Sequence, residues 1–296
     1  MPEPIHDQAE GLRRLLVQNF LSVLTITSGG TGTGKTTTVI SLATALARSG
    51  RRVLVIDENT GANNVSGALG ISDHLDLLDV IRRDKTLDEL IVADSEGFFV
   101  LPAGRGMRVL GKLSAGDQAH VIGCFAHLAQ PIDVILIDAA PDRSSQMLAL
   151  ALSTHEIVVV VSPDPASITG AYALIKHTSG HLQNKQHFHV VVNKAGTEAQ
   201  AKMIFDNMAD VARRYLAVSL DFMGFVPQDG KLCLGRRVTA AAPATASGAA
   251  FRRIAESLAD WPSPDDEERG LERFMQCLLL SSQNSSSNAA TSAGVR

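Results

Sequence analysis

The chain has 296 residues, of which 45% are hydrophobic and 20% charged, so it can bury a large core and is not globally disordered. Its net charge of −4 excludes the basic field that draws proteins onto nucleic acid, and direct nucleic-acid binding is not expected. The three scattered cysteines form no CxxC pair and suggest neither a zinc site nor a disulfide frame. The start of the chain does not resemble a secretory signal, and no apolar run approaches the roughly 20 residues that span a bilayer. These features predict a cytoplasmic protein, at most peripheral on the inner face of the cytoplasmic membrane.

Apolar, β-branched runs alternate with helical patterns along most of the chain. The predicted strands are Leu21–Thr27, Arg52–Asp57, Phe98–Pro102, Ile132–Asp138, Glu156–Val161, Phe188–Asn193 and Leu220–Val226. The predicted helices are Lys35–Ser49, Ser72–Arg83, Ser114–Gln130, Ala166–Gly180, Thr197–Arg214 and Ala249–Leu258. Continuously apolar strands suit burial on both faces of a parallel sheet. The pattern predicts an α/β fold, a doubly wound and mostly parallel sheet with helices on both faces.

Composition divides the chain into four parts. A short amphipathic stretch at 1–17 precedes the alternating strand and helix patterns of one large α/β domain at 18–262. A second amphipathic helix is predicted at 263–281, and the Ser/Asn/Ala-rich end, 282–296, is predicted to be disordered because it has little to bury.

A phosphate-binding loop follows the first strand. The segment GGTGTGKT fits GxxxxGK[ST] and lies between a strand and a helix, the context that confirms a Walker A loop. Its glycines let backbone N–H groups surround phosphate oxygens, and the helix adds its positive end. We expect Lys35 to contact the β- and γ-phosphates of ATP and Thr36 to coordinate Mg²⁺. The predicted nucleotide-binding residues here are Gly29, Gly30, Thr31, Gly32, Thr33, Gly34, Lys35, Thr36 and Thr37.

Two strands end in aspartate at the edge of the sheet where such folds bind ligands. Asp138 is the candidate Walker B residue, reaching Mg²⁺ directly or through water. Asp57 occupies the same position on another strand. Because aspartate also caps turns after strands, each has a purely structural alternative.

Three segments are similar to the FlhG/FleN branch of the MinD/ParA class of P-loop ATPases. DQAEGLR at 7–13 resembles the family's DQAxxLR element. PDPASITGAYALIK at 163–176 resembles the stretch PEPTSITDAYALIK, and VVNKA at 191–195 is the third match. The resemblance spans about residues 7–280. It implies a MinD-like fold and a regulator of flagellar number and placement.

The resemblance also assigns adenine-side residues. It implies that Asn193, at the end of a strand, reads the adenine base, and that the loop containing Pro227 and Asp229 closes the same side. The structural alternative is an ordinary turn after each strand, since these residue types favour turns.

Two departures from the class concern catalysis. The class has a lysine at the second P-loop position that crosses to the partner's phosphates in a dimer, and here that residue is Gly30. The class also has a water-orienting aspartate two residues after Asp57, where this chain has Asn59. An amide is a very poor base near neutral pH, so we expect Lys35, Asp57, Asn59 and Asp138 to support at most weak hydrolysis. Glu58 could act as the base instead, but strand alternation predicts that it points away.

The N-terminal segment has an amphipathic pattern outside the predicted sheet. The resemblance implies that it stimulates FlhF, a signal-recognition-type GTPase, with Gln8 acting near the partner's nucleotide. The implied partner-binding residues are Asp7, Gln8, Ala9, Leu12 and Arg13. The alternative is a helix docked on its own domain.

The C-terminal amphipathic helix has two interpretations of equal weight. Its apolar face comprises Leu271, Phe274, Met275, Leu278 and Leu279. The resemblance implies attachment to the membrane, whereas the acidic polar side favours docking on the body.

We consider three functions. The first is an ATP-dependent switch, with an ATP-dependent homodimer, acting on an FlhF-type GTPase, the switch proteins FliM/FliN and a FlrA/FleQ-type activator. The second is a P-loop metabolic kinase or synthetase, which needs a second pocket to which Arg105 and Arg108 could contribute. The third is a ParA-like partition ATPase on DNA, which the acidic balance opposes.

Overall fold

The computed structural model describes residues 21–61, 64–71, 74–140, 144–154, 156–182, 187–234, 237–238, 244–259 and 270–293. The N-terminal segment 1–17 and the start of the C-terminal helix, 263–269, lie outside the described residues, and so do predictions made for them.

A mixed but mostly parallel sheet forms the centre of the described chain. Its eight strands lie in the order β3-β4-β2-β5-β1-β6-β7-β8, and only the β3–β4 pair is antiparallel. The strands are β1 Ser22–Ser28, β2 Val53–Asp57, β3 Val92–Ala93, β4 Phe99–Pro102, β5 Val134–Asp138, β6 Glu156–Val161, β7 His187–Ala195 and β8 Ser219–Pro227. A separate short hairpin joins β9 Cys233–Leu234 to β10 Arg237–Val238. The predicted α/β fold is confirmed.

Helices cover both faces of this sheet. They are α1 Lys35–Arg48, α2 Val65–Leu69, α3 Leu77–Ile81, α4 Leu87–Leu90, α5 Ala115–Ala126, α6 Ser144–Ser153, α7 Pro165–His181, α8 Glu198–Leu216, α9 Ala246–Ala259 and α10 Leu271–Ala293. Short 3-10 turns lie at Leu110–Lys112 and Gly230–Leu232. One apolar layer packs α1 and α9 on one face, and the other joins residues of α3, α5, α6, α7, α8 and α10 on the opposite face. Strands β2 and β5 are buried at every position, as their unbroken apolar sequences predict.

Several local predictions differ from the structure, as the following examples show. The helix predicted at Ser72–Arg83 is only the short α3, because Asp76 forms its N-terminal cap and closes a capping box with Asp79. Helix α6, after β5, was not predicted. The edge strand β3 was also not predicted, since two residues are too short for an alternating pattern.

Helix α10 is docked on the body. Phe274, Met275, Leu278 and Leu279 are each at most 4% exposed and belong to the same apolar layer as α6. The helix contacts α5, α6 and the turn at Leu110–Lys112. Of the two interpretations of this apolar face, docking is the one that the structure shows.

The same helix continues to Ala293, which corrects the prediction of disorder from residue 282 for residues 282–293. A docked first half explains this, because adding residues to an existing helix needs no new nucleation and this end contains several alanines. Within the described residues, no helix combines the length and apolar character needed to cross a membrane.

Candidate nucleotide-binding site

The P-loop joins β1 to α1 at the carboxyl edge of the sheet. Gly32 and Gly34 have φ angles of 75° and 87°, which glycine adopts without strain. Space near Gly30 and Gly32 is open, since a Cβ atom there would meet nothing within 4 Å. The loop therefore presents its backbone to an open cradle at the N-terminus of α1, as phosphate binding requires.

The loop is seated directly on helix α7. A Cβ atom on Gly29 would lie 1.8 Å from the Ala171 backbone nitrogen, and one on Gly170 would lie 2.0 Å from the Gly29 carbonyl oxygen. Neither position has room for a side chain. Helix α7 therefore positions the first residue of the P-loop by backbone contact.

Lys35 and Thr36 both contact Asp138. The buried Lys35 ammonium forms an ion pair with Oδ1 of Asp138. The Thr36 hydroxyl donates to Oδ2 of the same carboxylate at 2.9 Å. The structure thus brings together the three residues that the sequence predicts for phosphate and metal binding.

Asn59 links the two strand-end aspartates. Its Nδ2 atom lies 3.0 Å from Oδ1 of Asp57, from Oδ2 of Asp138 and from the Asp138 carbonyl oxygen. Its backbone N–H also donates to Oδ1 of Asp57 at 3.0 Å. Aspartate at position 59 could not donate in this way to both carboxylates and would add a third negative charge.

Asp57 is 1% exposed and lies beside another carboxylate. Burial and the charge of Asp138 raise the pKa of Asp57 to about 7, although hydrogen bonds from Asn59 and Val65 oppose this rise. A carboxylate with a raised pKa beside a second one favours a cation between them, which is the charge arrangement of a magnesium site.

Glu58 lies directly after Asp57, and its side chain is engaged with a neighbouring segment. Its Oε2 atom accepts a hydrogen bond from the Ala140 N–H at 2.8 Å. The side chain is 1% exposed and holds the chain just after Asp138. Its orientation relative to a bound nucleotide stays a prediction.

The adenine-side residues also lie at this edge. Asn193 donates through Nδ2 to the Thr33 carbonyl oxygen at 2.9 Å, while its Oδ1 accepts from the Lys194 N–H. Lys194 has a φ of 60° and its ammonium donates to the Gly32 carbonyl oxygen at 2.6 Å. Asn193 therefore contacts the P-loop, and its role toward adenine stays a prediction.

The loop that contains Pro227 and Asp229, the second one assigned to the adenine side, makes a structural contact within the protein. Pro227 ends β8, and Oδ2 of Asp229 accepts a hydrogen bond from the Ser247 hydroxyl at 2.5 Å, near the start of α9. Asp229 thus has a structural contact near the start of α9, and the role of this loop toward adenine stays a prediction.

The residues present fit a nucleotide and Mg²⁺. The glycine loop and Lys35 suit phosphate, and the oxygens of Thr36, Asp57 and Asp138 are the ligand type that Mg²⁺ prefers. Asp57 and Asp138 are also register partners on adjacent strands, so they face one volume.

Comparison with known proteins decides the family. Residues 24–234 match the CobQ/CobB/MinD/ParA nucleotide binding domain. The antiactivator FleN of Pseudomonas aeruginosa is 31% identical over 267 residues, covering 88% of this chain and 94% of FleN. The chain belongs to the FlhG/FleN family. The flagellum site-determining protein YlxH of Helicobacter pylori is 25% identical over 71% of this chain and 70% of YlxH.

Solved structures agree on the fold. The septum site-determining protein MinD of Pyrococcus horikoshii, complexed with Mg-ADP, aligns with a TM-score of 0.58 and 22% sequence identity. The alignment covers 81% of this chain and 96% of that chain. The doubly wound P-loop fold is therefore common to this FlhG/FleN family member and MinD.

Two site residues escaped sequence analysis. Gly170 stands where the family stretch PEPTSITDAYALIK has aspartate, and it is the residue that contacts the P-loop. Glycine in place of that aspartate was the feature of the sequence that could have indicated a close backbone contact. Lys194 lies in the VVNKA match but received no role there, because its contact with the P-loop depends on a positive φ that sequence does not predict for lysine.

Proposed function

We propose that this chain is an ATP- and Mg²⁺-binding, MinD-like regulator of flagellar number and placement that acts as a nucleotide-dependent switch. The observation that carries the proposal is the network of Lys35, Thr36, Asp57, Asn59 and Asp138 beneath an open P-loop. The similarity to FleN and YlxH gives the flagellar role.

The proposed switch depends on contacts of Lys35 and Asp138 that change when nucleotide binds. Bound ATP supplies phosphates for Lys35, and Mg²⁺ supplies a cation for the two aspartates. We propose that Lys35 moves from Asp138, which it now neutralises, toward phosphate when ATP binds. Asp138 is tied through its carbonyl to Asn59, and the chain just after it is tied through the Ala140 N–H to Glu58. A change in the contacts of Asp138 can therefore shift the adjacent segment that leads to α6.

Helix α6 follows that segment and packs against α10. The C-terminal helix is thus adjacent to the element next to the nucleotide site. We propose that its docking responds to nucleotide. Contact of residues 271–281 with the membrane would require the buried Phe274, Met275, Leu278 and Leu279 to leave the body.

Hydrolysis is proposed to be slow. Gly30 provides no charge at the position of the class lysine, and Asn59 is occupied in joining Asp57 to Asp138. Both changes act on transition-state charge and water positioning more than on ground-state affinity. ATP should therefore bind well and turn over slowly, which suits a switch.

The nucleotide-binding part is tested by calorimetry with ATP and Mg²⁺. The Lys35→Ala variant should lose at least about tenfold in affinity, because it removes a charge-assisted contact to phosphate. Lys202→Ala, an exposed lysine on α8, is the matched control and should bind like the parent. Unchanged affinity in Lys35→Ala would show that the P-loop is not the nucleotide site.

The proposal of protein partners is based on the sequence of residues 1–17 and on the family resemblance. We propose that Asp7, Gln8, Ala9, Leu12 and Arg13 contact an FlhF-type GTPase, and that FliM/FliN and a FlrA/FleQ-type activator are further partners of a homodimer formed with ATP. A peptide of residues 1–17 should raise GTP turnover by the FlhF-type GTPase, and Gln8→Ala should weaken the effect. No stimulation at saturating peptide would refute this role.

The alternative enzymatic function finds little support in the described residues. Arg105, suggested for a second substrate pocket, pairs with Asp79 at 3.1 Å and donates its backbone N–H to Asp76. Arg108 donates to the Thr60 hydroxyl at 2.5 Å. These arginines hold loops together at this edge of the sheet, a structural use for both.

A further inference from the structure

A cluster of histidine and carboxylate side chains lies at the amino ends of three neighbouring strands. Glu156 begins β6, His187 begins β7, and His189 follows two residues later. Val158 on β6 and Asp221 on β8 are both register partners of His189. Because residues two apart on a strand share a face, Glu156, His187, His189 and Asp221 all lie on one face of the sheet.

Their polar atoms converge. The ligand atoms offered by Glu156, His187 and His189 all lie within 4.8 Å of one another. Nε2 of His189 is 3.0 Å from Oε2 of Glu156, and Nε2 of His187 is 2.8 Å from Oδ2 of Asp221. The two imidazole rings are adjacent, with centroids 4.9 Å apart.

These separations are close to those of a tetrahedral zinc site. Ligand atoms about 2.0–2.1 Å from zinc are separated from one another by roughly 3.3–3.4 Å in ideal tetrahedral geometry. Small side-chain rotations would bring the three groups to that spacing. The burial pattern also suits a site, since His189 is 7% exposed while His187 is partly open to solvent.

We propose that Glu156, His187 and His189 bind a divalent transition-metal ion of the zinc class. Two imidazoles and one carboxylate are a donor set that zinc takes, with a water in the fourth position, whereas Mg²⁺ prefers oxygen ligands alone. With Nε2 of His187 engaged by Asp221, the ring coordinates through Nδ1. Asp221 then orients this histidine, as carboxylates commonly do for histidine ligands.

This site is separate from the nucleotide site. It lies at the amino edge of the sheet, and the P-loop, Asp57 and Asp138 lie at the carboxyl edge. The length of β6 alone places about 16 Å between the two edges. A bound ion would join β6 and β7 directly and β8 through Asp221, and so stabilise this half of the sheet.

The test is calorimetric titration of Zn²⁺ into the full chain, made without an affinity tag and first stripped with a chelator. We expect one saturable site per chain and a rise in Tm that grows with Zn²⁺ concentration, because the ion binds the folded state. His187→Gln and Glu156→Gln should each weaken binding at least tenfold. Asp221→Asn should weaken it about 10- to 100-fold through the orientation of His187.

A second histidine pair offers a matched control. His177 and His181 on α7 have ring centroids 4.4 Å apart, and the doubly substituted variant His177→Gln/His181→Gln should bind Zn²⁺ like the parent. Absence of saturable binding to the parent would overturn the proposal. Binding that is unchanged in His187→Gln, or that is lost only in the His177/His181 variant, would overturn it as well. His187 is partly exposed, so its glutamine variant should fold, and melting without metal checks this.

Discussion

At the scale of single residues, the backbone contact between Gly29 and Gly170 gives a sharp prediction. Gly170→Ala places a methyl group against the Gly29 carbonyl, so the P-loop or helix α7 must move. We expect a loss of about 1–3 kcal/mol in unfolding free energy and weaker ATP binding. Denaturant unfolding and calorimetry measure the two effects.

Gly180 on the same helix is the control. A Cβ atom at Gly180 would meet nothing within 4 Å, so Gly180→Ala should be neutral or stabilising by up to about 1 kcal/mol. If the two variants behave alike, the contact between α7 and the P-loop does not have the importance assigned to it.

Asp57 predicts a pH dependence of stability in protein free of nucleotide and metal. Its folded pKa of about 7 lies above the ordinary value of about 3.9, so the folded state holds the extra proton between these two pH values. Its contribution to stability is complete below about pH 4 and is lost as pH rises through 7. The parent should therefore lose stability relative to Asp57→Asn over this range, by at most about 1.4 kcal/mol per pH unit.

The measurement is urea unfolding of both proteins from pH 4 to 8 in a chelator. Subtracting the variant's unfolding free energy from the parent's removes other titrating groups. A difference that stays flat, or that grows with pH, would contradict the raised pKa.

Sequence predicted the reactive residues better than their contacts. Lys35, Thr36 and Asp138 follow from a motif whose spacing fixes its geometry, and the structure brings them together. The link that Asn59 makes between two carboxylates, and the turn of Glu58 toward Ala140, depend on backbone angles after β2. Those angles come from tertiary packing, which a local pattern does not record.

At the scale of elements, the central strands were predictable because they are buried on both faces and read as unbroken apolar runs. Helix α6 was missed because it is apolar on most of its surface and lacks a clear helical period. It is covered by α10, an element distant in sequence. Its environment is therefore set by packing that a local pattern cannot show.

The docking of α10 predicts unequal effects of substitutions at two leucines that are two residues apart. Leu278 is 1% exposed and packs in the core, whereas Leu280 is 57% exposed. Leu278→Ala should lower the unfolding free energy by about 2–5 kcal/mol, because it leaves a cavity. Leu280→Ala should change it by less than about 0.5 kcal/mol. Equal, small effects in denaturant unfolding would show that α10 is not docked in solution.

At the scale of the whole molecule, the parallel sheet assembles a site from distant parts of the chain. Lys35 follows β1 through the P-loop, whereas Asp57, Asp138 and Asn193 lie at the carboxyl ends of β2, β5 and β7, and all four reach the same edge. The sequence predicted this convergence, because parallel strands align their carboxyl ends. The histidine and carboxylate cluster at the opposite edge was not predicted, since its members have no motif spacing and meet only through strand register.

Gly30 and Asn59 replace the lysine and the aspartate of the class. They are the reason for the proposal that this protein binds ATP and hydrolyses it slowly. The structure has room for a lysine side chain at position 30, because a Cβ atom on Gly30 would meet nothing within 4 Å. Asn59→Asp adds a carboxylate beside Asp57 and Asp138, and bound Mg²⁺ offsets its charge. The double variant should therefore keep its affinity for ATP.

The most direct test is the single-turnover rate of ATP hydrolysis with Mg²⁺, measured for the parent beside Gly30→Lys/Asn59→Asp. Both proteins must be folded and saturated with ATP. We predict that the double variant hydrolyses ATP at least about tenfold faster, because it regains one transition-state charge and one water-orienting carboxylate. A parent that already hydrolyses ATP as fast as the double variant would contradict the account and would turn attention to Glu58.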